Sequence, residues 1–229
     1  MPMPEDMGHF RRNLEKRRLH GIATLVPRSG VMNVLDAGAG SGWLSEILSE
    51  RGFSVHAVDL GLDSIRRASF RISGKKRNVL FTLGDMYRLP YRDGFFDAVI
   101  ASETIEHLEN PDEAFREFSR VLRRGGYLIV STPYREKIEQ TLCIHCNRKT
   151  PVNAHLHSFD EHSMEQLLRD AGFTVQRLVL SVNKSAERLG LAGMTFFMPY
   201  AVWRTLDAVL CTLLGRQSFM AVRAVLHDR

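Results

Sequence analysis

Short apolar runs alternate with amphipathic stretches along most of the chain. Val31-Met-Asn-Val-Leu35 is largely apolar, and 43–50 then places Leu44, Ile47 and Leu48 at helical spacing. The succession repeats: 53–59 alternates as a second strand, 62–71 forms a helix, and 79–83 forms a third strand. A turn at Arg92-Asp-Gly94 introduces a fourth strand over 95–101, and Asn110-Pro111 starts a helix over 112–123. Arg123-Arg-Gly-Gly126 reads as the stop of that helix, with glycine at its C-cap, before a fifth strand at 127–133. Helix 160–171 joins a strand at 173–180, and 219–226 alternates as the last one. Strands and helices in this alternation predict an α/β, doubly wound sheet.

The polar positions fall where that sheet would present its edge. The first apolar run ends in Asp36, and Gly38, Gly40 and Gly42 alternate with small residues before Trp43 opens a helix. Glycines are needed where a ligand touches the backbone or where φ must be positive, and the helix start adds free N–H groups. A dinucleotide fingerprint would place a small residue where Trp43 stands, so that reading fits poorly. The second strand ends in Asp59, at the distance where nucleotide folds put an acid on ribose hydroxyls. A carboxylate can also cap the next helix from that position, and the two roles are compatible. Gly84-Asp85-Met86 closes the third strand, Leu89-Pro90-Tyr91 follows it, and the fourth delivers Ser102-Glu103-Thr-Ile-Glu106-His107-Leu108.

Taken in order, these motifs are similar to those of class I S-adenosylmethionine-dependent methyltransferases, of the type common in small-molecule and glycan pathways. The resemblance covers the glycine turn, Asp59, Gly84-Asp85, Phe96-Asp97, Glu106-His107 and Gly125-Gly126 to Thr132-Pro133. It implies S-adenosylmethionine as cofactor, with Asp36 facing its ammonium group and Gly38, Gly40 and Gly42 wrapping the methionine half. It places Asp59, with Leu60 beside it, at the ribose, Asp85 and Met86 at the adenine, and Ser102 at the mouth of the site. It also implies a Rossmann-like sheet of seven strands, mostly parallel, with an antiparallel last hairpin made by 173–180 and 219–226. That leaves a helical insert, 182–217, before the last strand. The expected organisation is one domain over 1–229: an N-terminal helix in 1–27, a core over 28–181, a Cys/His loop at 134–159, the insert, and the last strand in 218–229.

Composition narrows the function classes. At 229 residues, 44% hydrophobic and 25% charged, the chain can bury a substantial core. The net charge of +5 concentrates in 11–18 and 75–77, runs that read as solvated faces, since no recognised nucleic-acid module accompanies them. The N-terminus is polar and basic without an apolar centre, so cytoplasm is the expected location. Its helix, 9–26, carries an incomplete apolar stripe of Phe10, Leu14, Ile22 and Leu25, suited to a cap on the cofactor pocket or to packing on the sheet edge. Three cysteines do not make a disulfide framework. Two of them, Cys143 and Cys146, form a Cys-x-x-Cys followed by His155 and His157, the residue set of tetrahedral zinc.

Methyl transfer from a sulfonium needs an aligned acceptor and, where a proton leaves, a base. His107, Glu106 and His157 are the candidate catalytic residues. Glu103, Glu106 and His107 also resemble the Glu-x-x-Glu-His set with which ubiquinone-pathway O-methyltransferases and small-RNA 2′-O-methyltransferases hold a divalent metal such as Mg2+, and the RNA group's later histidine before a Phe has a counterpart in His155 or His157. No Asp/Asn-Pro-Pro-aromatic tetrad is present, which disfavours amino-methylation of adenine in DNA. The insert places Val202, Leu206, Val209, Leu210 and Leu213 on one helical face, while Pro199, Arg204 and Asp207 argue against a membrane span. That face suits packing on the domain, a lid, a homodimer contact or a peripheral membrane contact. Three functions follow: O-methylation of a small or lipid- or glycan-linked metabolite, metal-assisted RNA methylation, and a non-catalytic cofactor-binding regulatory or partner subunit.

Overall fold

The computed structural model describes residues 9–143, 145, 147–183, 198–215 and 217–227, with the side chains of 15–182 and 198–227 described apart from 144, 146, 214 and 216. One seven-stranded sheet runs through the protein in the order β3-β2-β1-β4-β5-β9-β8. Its strands are β1 (Asn33–Ala37), β2 (Ser54–Asp59), β3 (Val79–Leu83), β4 (Phe96–Ser102), β5 (Leu122–Pro133), β8 (Phe173–Asn183) and β9 (Gln217–Leu226). The first five pair in parallel, and β9 inserts antiparallel between β5 and β8. This is the Rossmann-like arrangement, with the antiparallel last hairpin, that the motif order implied.

Register decides what the edge displays. Ala37 lies beside Val58, Asp59 beside Leu83, and Ser102 beside Ser131. The parallel strands therefore end together, and the residues just past them share one rim. Both faces are covered. Helices α1 (His9–Leu25) and α2 (Trp43–Glu50) pack on one side with a core including Leu19, Ile22, Val34 and Leu48. Helices α4 (Pro111–Val121) and α5 (Glu161–Asp170) pack on the other with Phe115, Phe118, Met164 and Leu168, while α3 (Leu62–Ile72) lies against β2 and β3. Asp97 ties the opposite end of the sheet, accepting from the Met32 and Asn33 N–H groups and from Arg123, each at 2.7–2.8 Å.

Four departures from the sequence reading have local causes. Helix α4 stops at Val121 rather than at a glycine C-cap, because Leu122 has already turned extended to pair with Phe96. Gly125, at φ +66°, then serves the irregular start of β5, between the Phe96 and Ala98 pairings of β4. Inside the Cys/His loop, a small hairpin forms from β6 (Gln140–Leu142) and β7 (Lys149–Pro151). In the insert, the helix α6 (Tyr200–Leu214) buries Trp203 and Cys211 instead of the expected apolar face. Val202, Leu206, Val209 and Leu213 are exposed, since the helix turns Trp203 inward, beside Tyr200 and under the Arg17 guanidinium. Residues 184–197 of the insert lie outside the described residues, as do 1–8 and the side chains of Phe10 and Leu14.

Candidate active site

The glycine turn is built for close approach. Gly38, Gly40 and Gly42 have φ of +82°, +51° and +74°, a region that side chains with a Cβ rarely adopt. Their surroundings differ. A Cβ on Gly38 would come within 2.6 Å of the Thr104 side chain, and one on Gly42 within 2.8 Å of Ala68, so those two glycines permit packing. A Cβ on Gly40 would meet nothing within 4 Å. That turn faces open space, where a ligand rather than the protein needs the room.

The acids arrive on the rim as the strand ends predicted. Asp36 is buried and accepts a 2.5 Å hydrogen bond from the Ser45 hydroxyl. Burial pushes its carboxyl up to about 6, opposed by that bond and reinforced by the charge of Asp59. A cation set beside Asp36 would restore its ionised form. The Asp59 carboxylate accepts from Gly40 N–H and Gly61 N–H, both at 2.8 Å, linking the glycine turn to the start of α3. Gly61 is the helix N-cap, so Asp59 supports that terminus from two residues upstream. Leu60 is 76% exposed beside it, Asp85 is exposed and accepts from Tyr87 N–H, and Met86 is half-buried. An open glycine cradle with acids at the ends of β1 and β2 fits an amino-acid-bearing nucleoside cation.

Helix α1 closes over this rim. Lys16 and Arg71 both lie against the Trp43 ring, at 4.6 and 4.8 Å, at the first residue of α2. Arg18 is buried and forks onto Glu15 at 2.6 and 3.0 Å, while its third nitrogen meets Glu103 at 2.9 Å. These pairings hold its guanidinium above the ordinary arginine range against the opposing effect of burial. Arg18 went unread in the sequence because a run of basic residues normally marks a solvated face.

Glu103 adopts φ +52°, a conformation costly for a side chain with a Cβ and held here by its surroundings. Its N–H donates to the Ser131 carbonyl, and its carboxylate accepts from the Ser131 hydroxyl at 3.2 Å. Ser102 meets the same hydroxyl at 3.0 Å. Because Glu103 is tied to Arg18, it stands apart from the metal-ligand set that its spacing suggested. Among the described residues, Glu106, His107 and His155 form that set instead, one ligand atom of each lying within 4.8 Å of the others.

Glu106 is 1% exposed, and one of its oxygens has no hydrogen-bond partner, while the other accepts from Thr132 at 3.3 Å. Burial, then repulsion from Glu103, pushes its carboxyl up to about 8. His155 is equally enclosed, paired through Nδ1 to Glu136, with Nε2 unpartnered. Burial lowers the pKa of His107, whose Nδ1 lies 3.1 Å from the Ala154 carbonyl. His157 is not part of this group; its Nε2–H donates to the Leu108 carbonyl at 2.8 Å and braces the turn.

The zinc set drawn from the loop is not assembled among the described residues. Cys143 sits at the tip of the β6–β7 hairpin, bonded through its backbone to Arg148 and Asn147, and forms no ligand cluster with His155 and His157. Extended pairing of β6 with β7 carries the cysteine to the hairpin tip, whereas the return strand brings His155 back to Glu106. Cys146 lies outside the described residues.

A methyltransferase-domain family model matches residues 7–178. The chain belongs to that family. S-adenosylmethionine is the methyl donor of this class, and the turn at Gly40 leaves room for a ligand. A probable S-adenosylmethionine-dependent methyltransferase of Mycobacterium tuberculosis is 32% identical over 150 residues, 65% of this chain and 51% of that protein. A malonyl-[acyl-carrier protein] O-methyltransferase of Geobacter sulfurreducens is 35% identical over 117 residues, 49% of this chain and 43% of that one. The methyltransferase domain thus spans about half the length of the curated relatives it matches. A crystal structure of an S-adenosylmethionine-dependent methyltransferase from Mesorhizobium loti shares the fold, with TM-score 0.65 at 19% identity over 91% of this chain and 97% of that one. Among the described residues, no helix is long and apolar enough to cross a membrane.

Proposed function

We propose that the chain transfers the methyl group of S-adenosylmethionine to an oxygen of a small, partly hydrophobic or lipid- or glycan-linked acceptor. The observation that carries this reading is the Glu106–His107–His155 group beside the end of β4, where a buried carboxylate oxygen and a buried ring nitrogen both lack partners. An unpartnered carboxyl oxygen next to an unpartnered ring nitrogen suits a hydroxyl that must be positioned and then lose its proton. His107, with its pKa lowered by burial, is neutral at pH 7 and able to accept that proton. Asp36, Asp59 and the glycine turn hold the donor, and α1 excludes water from the rim. The relative named as an O-methyltransferase supports oxygen as the methylated atom.

The deciding experiment supplies methyl-labelled S-adenosylmethionine with panels of hydroxylated metabolites and total RNA, then identifies labelled products by mass spectrometry. A labelled ether or ester on a small acceptor is the expected outcome. Label confined to RNA would overturn it, and tight cofactor binding without any labelled product would favour a regulatory subunit. The same three side chains also support a metal-assisted version, in which Glu106, His107 and His155 would hold a divalent cation against the acceptor oxygen. Activity that persists after dialysis against a chelator would leave the proton-transfer version standing alone.

A further inference from the structure

The face of the sheet that carries α1 is incompletely covered. Side chains of β9 alternate, with Met220 and Val222 sealed in the opposite core and Phe219 and Ala221 only half-buried on this side. Helix α1 reaches this face from one flank and α6 from the other, and a cavity of about 380 Å3 remains between them. That volume lies within the range of small-molecule sites, roughly 300–1,000 Å3. Ile22, Val179, Trp203, Phe219 and Ala221 supply an apolar wall.

The charged groups along the cavity are unequal. Arg17, Arg18, Arg177 and Arg204 line it, against Asp207 as the one acid among the described residues of its wall. Asp207 already accepts from Val182 N–H at 2.9 Å, and Arg18 is taken up by Glu15 and Glu103. Arg177 and Arg204 are exposed, and among the described residues neither forms an ion pair. Ser131, also in the cavity wall, is bonded through its hydroxyl to Ser102 and Glu103 on the rim, so one layer of side chains separates the cavity from the end of β4.

We infer that this cavity is the acceptor site, and that its occupant is an anionic amphiphile: an apolar body between α1 and α6, with a phosphate or carboxylate at Arg177 and Arg204. An apolar lining alone would take any hydrophobe, but an excess of guanidiniums over carboxylates along the described wall selects for negative charge. The inference rests on the methyltransferase reading for its direction, since the end of the acceptor near Ser131 is the one that meets the methyl donor.

Calorimetric titration of the full chain, loaded with S-adenosylhomocysteine, tests it with dodecyl phosphate and dodecanol, each below its aggregation threshold, and inorganic phosphate. Dodecyl phosphate is expected to bind at least tenfold more tightly than dodecanol, and inorganic phosphate to bind far more weakly than either. The Arg177→Gln/Arg204→Gln double variant should lose about tenfold of the dodecyl phosphate affinity while keeping that for dodecanol. Ala208→Phe, which fills the cavity from an exposed helix position, should weaken both alkyl ligands; Thr205→Phe replaces it if the first variant fails to fold. Equal dodecyl phosphate affinity in wild type and variants would overturn the assignment. So would adsorption to phosphatidylglycerol vesicles without binding of the monomeric amphiphile. S-adenosylhomocysteine affinity, read separately, reports on the cofactor site and isolates a failure there from a failure of the cavity.

Discussion

Two glycines two residues apart in one turn have different duties, and substitution should separate them. Gly38→Ala forces a Cβ to within 2.6 Å of Thr104 at a φ of +82°, so it should destabilise the fold by about 1–3 kcal/mol. Gly40→Ala meets no neighbour and should cost only the left-handed backbone strain, about 1–2 kcal/mol. The new methyl group instead occupies ligand space, and S-adenosylmethionine affinity should fall at least tenfold. Thermal melts of the ligand-free variants with parallel calorimetry check both outcomes. Asp36 adds a pH dependence. Its folded pKa, about 6, stands above its ordinary value of 3.8, so the native state holds the extra proton between those limits. Ligand-free stability should therefore fall as pH rises through that window. Cofactor affinity should move the other way, because the ammonium group favours the carboxylate. From pH 7.5 to pH 5 affinity should weaken by about tenfold in the wild type, one unit below the pKa. Asp36→Asn should bind weakly with no such slope; an unchanged slope would remove Asp36 from the ammonium site.

Helix α1 is attached to the core through a charge that its own sequence disguises. Arg18→Met leaves Glu103 buried without its cation, next to Glu106, and should cost about 3–5 kcal/mol. Adding Glu103→Gln should recover part of that loss, a coupling that denaturant unfolding of the single and double variants would measure. Additive losses would show that Arg18 acts only through its packing on Phe219, 4.8 Å away. This attachment also marks how far the chain could be read from its residues alone. The strand–turn–helix units, the glycine turn and the acids at strand ends were legible because each depends on neighbours within a few residues. Arg18 meeting Glu103 joins residues far apart in the chain, and no local period encodes such a partner; His155 beside Glu106 is offered only by the resemblance, which leaves it open against His157. The α6 helix shows the same limit in another form. Its longest apolar row is exposed, while Trp203, outside that row, is the residue that packs.

The site as a whole belongs to no single element: β1, β2 and β4 end together, α2 and α3 supply helix starts, and α1 covers them. Binding there should consequently stabilise the entire molecule. A ligand present at a hundredfold excess over its dissociation constant adds about 2.7 kcal/mol to a fold that does not bind it when unfolded. For a chain of 229 residues, that corresponds to a rise in melting temperature of about 5–11 °C. Asp59→Ala is the informative comparison. In the ligand-free protein Asp59 already accepts from Gly40 and Gly61, so its loss should lower the starting melting temperature as well. The ligand-induced rise must be read from each variant's own baseline. A tenfold loss of affinity reduces the stabilisation at the same ligand concentration to about 1.4 kcal/mol, and the rise to about 3–6 °C. Scanning calorimetry with S-adenosylhomocysteine measures both quantities. A lowered baseline with an undiminished rise would assign Asp59 to bracing the turn alone, and would leave the ribose to other groups on the rim.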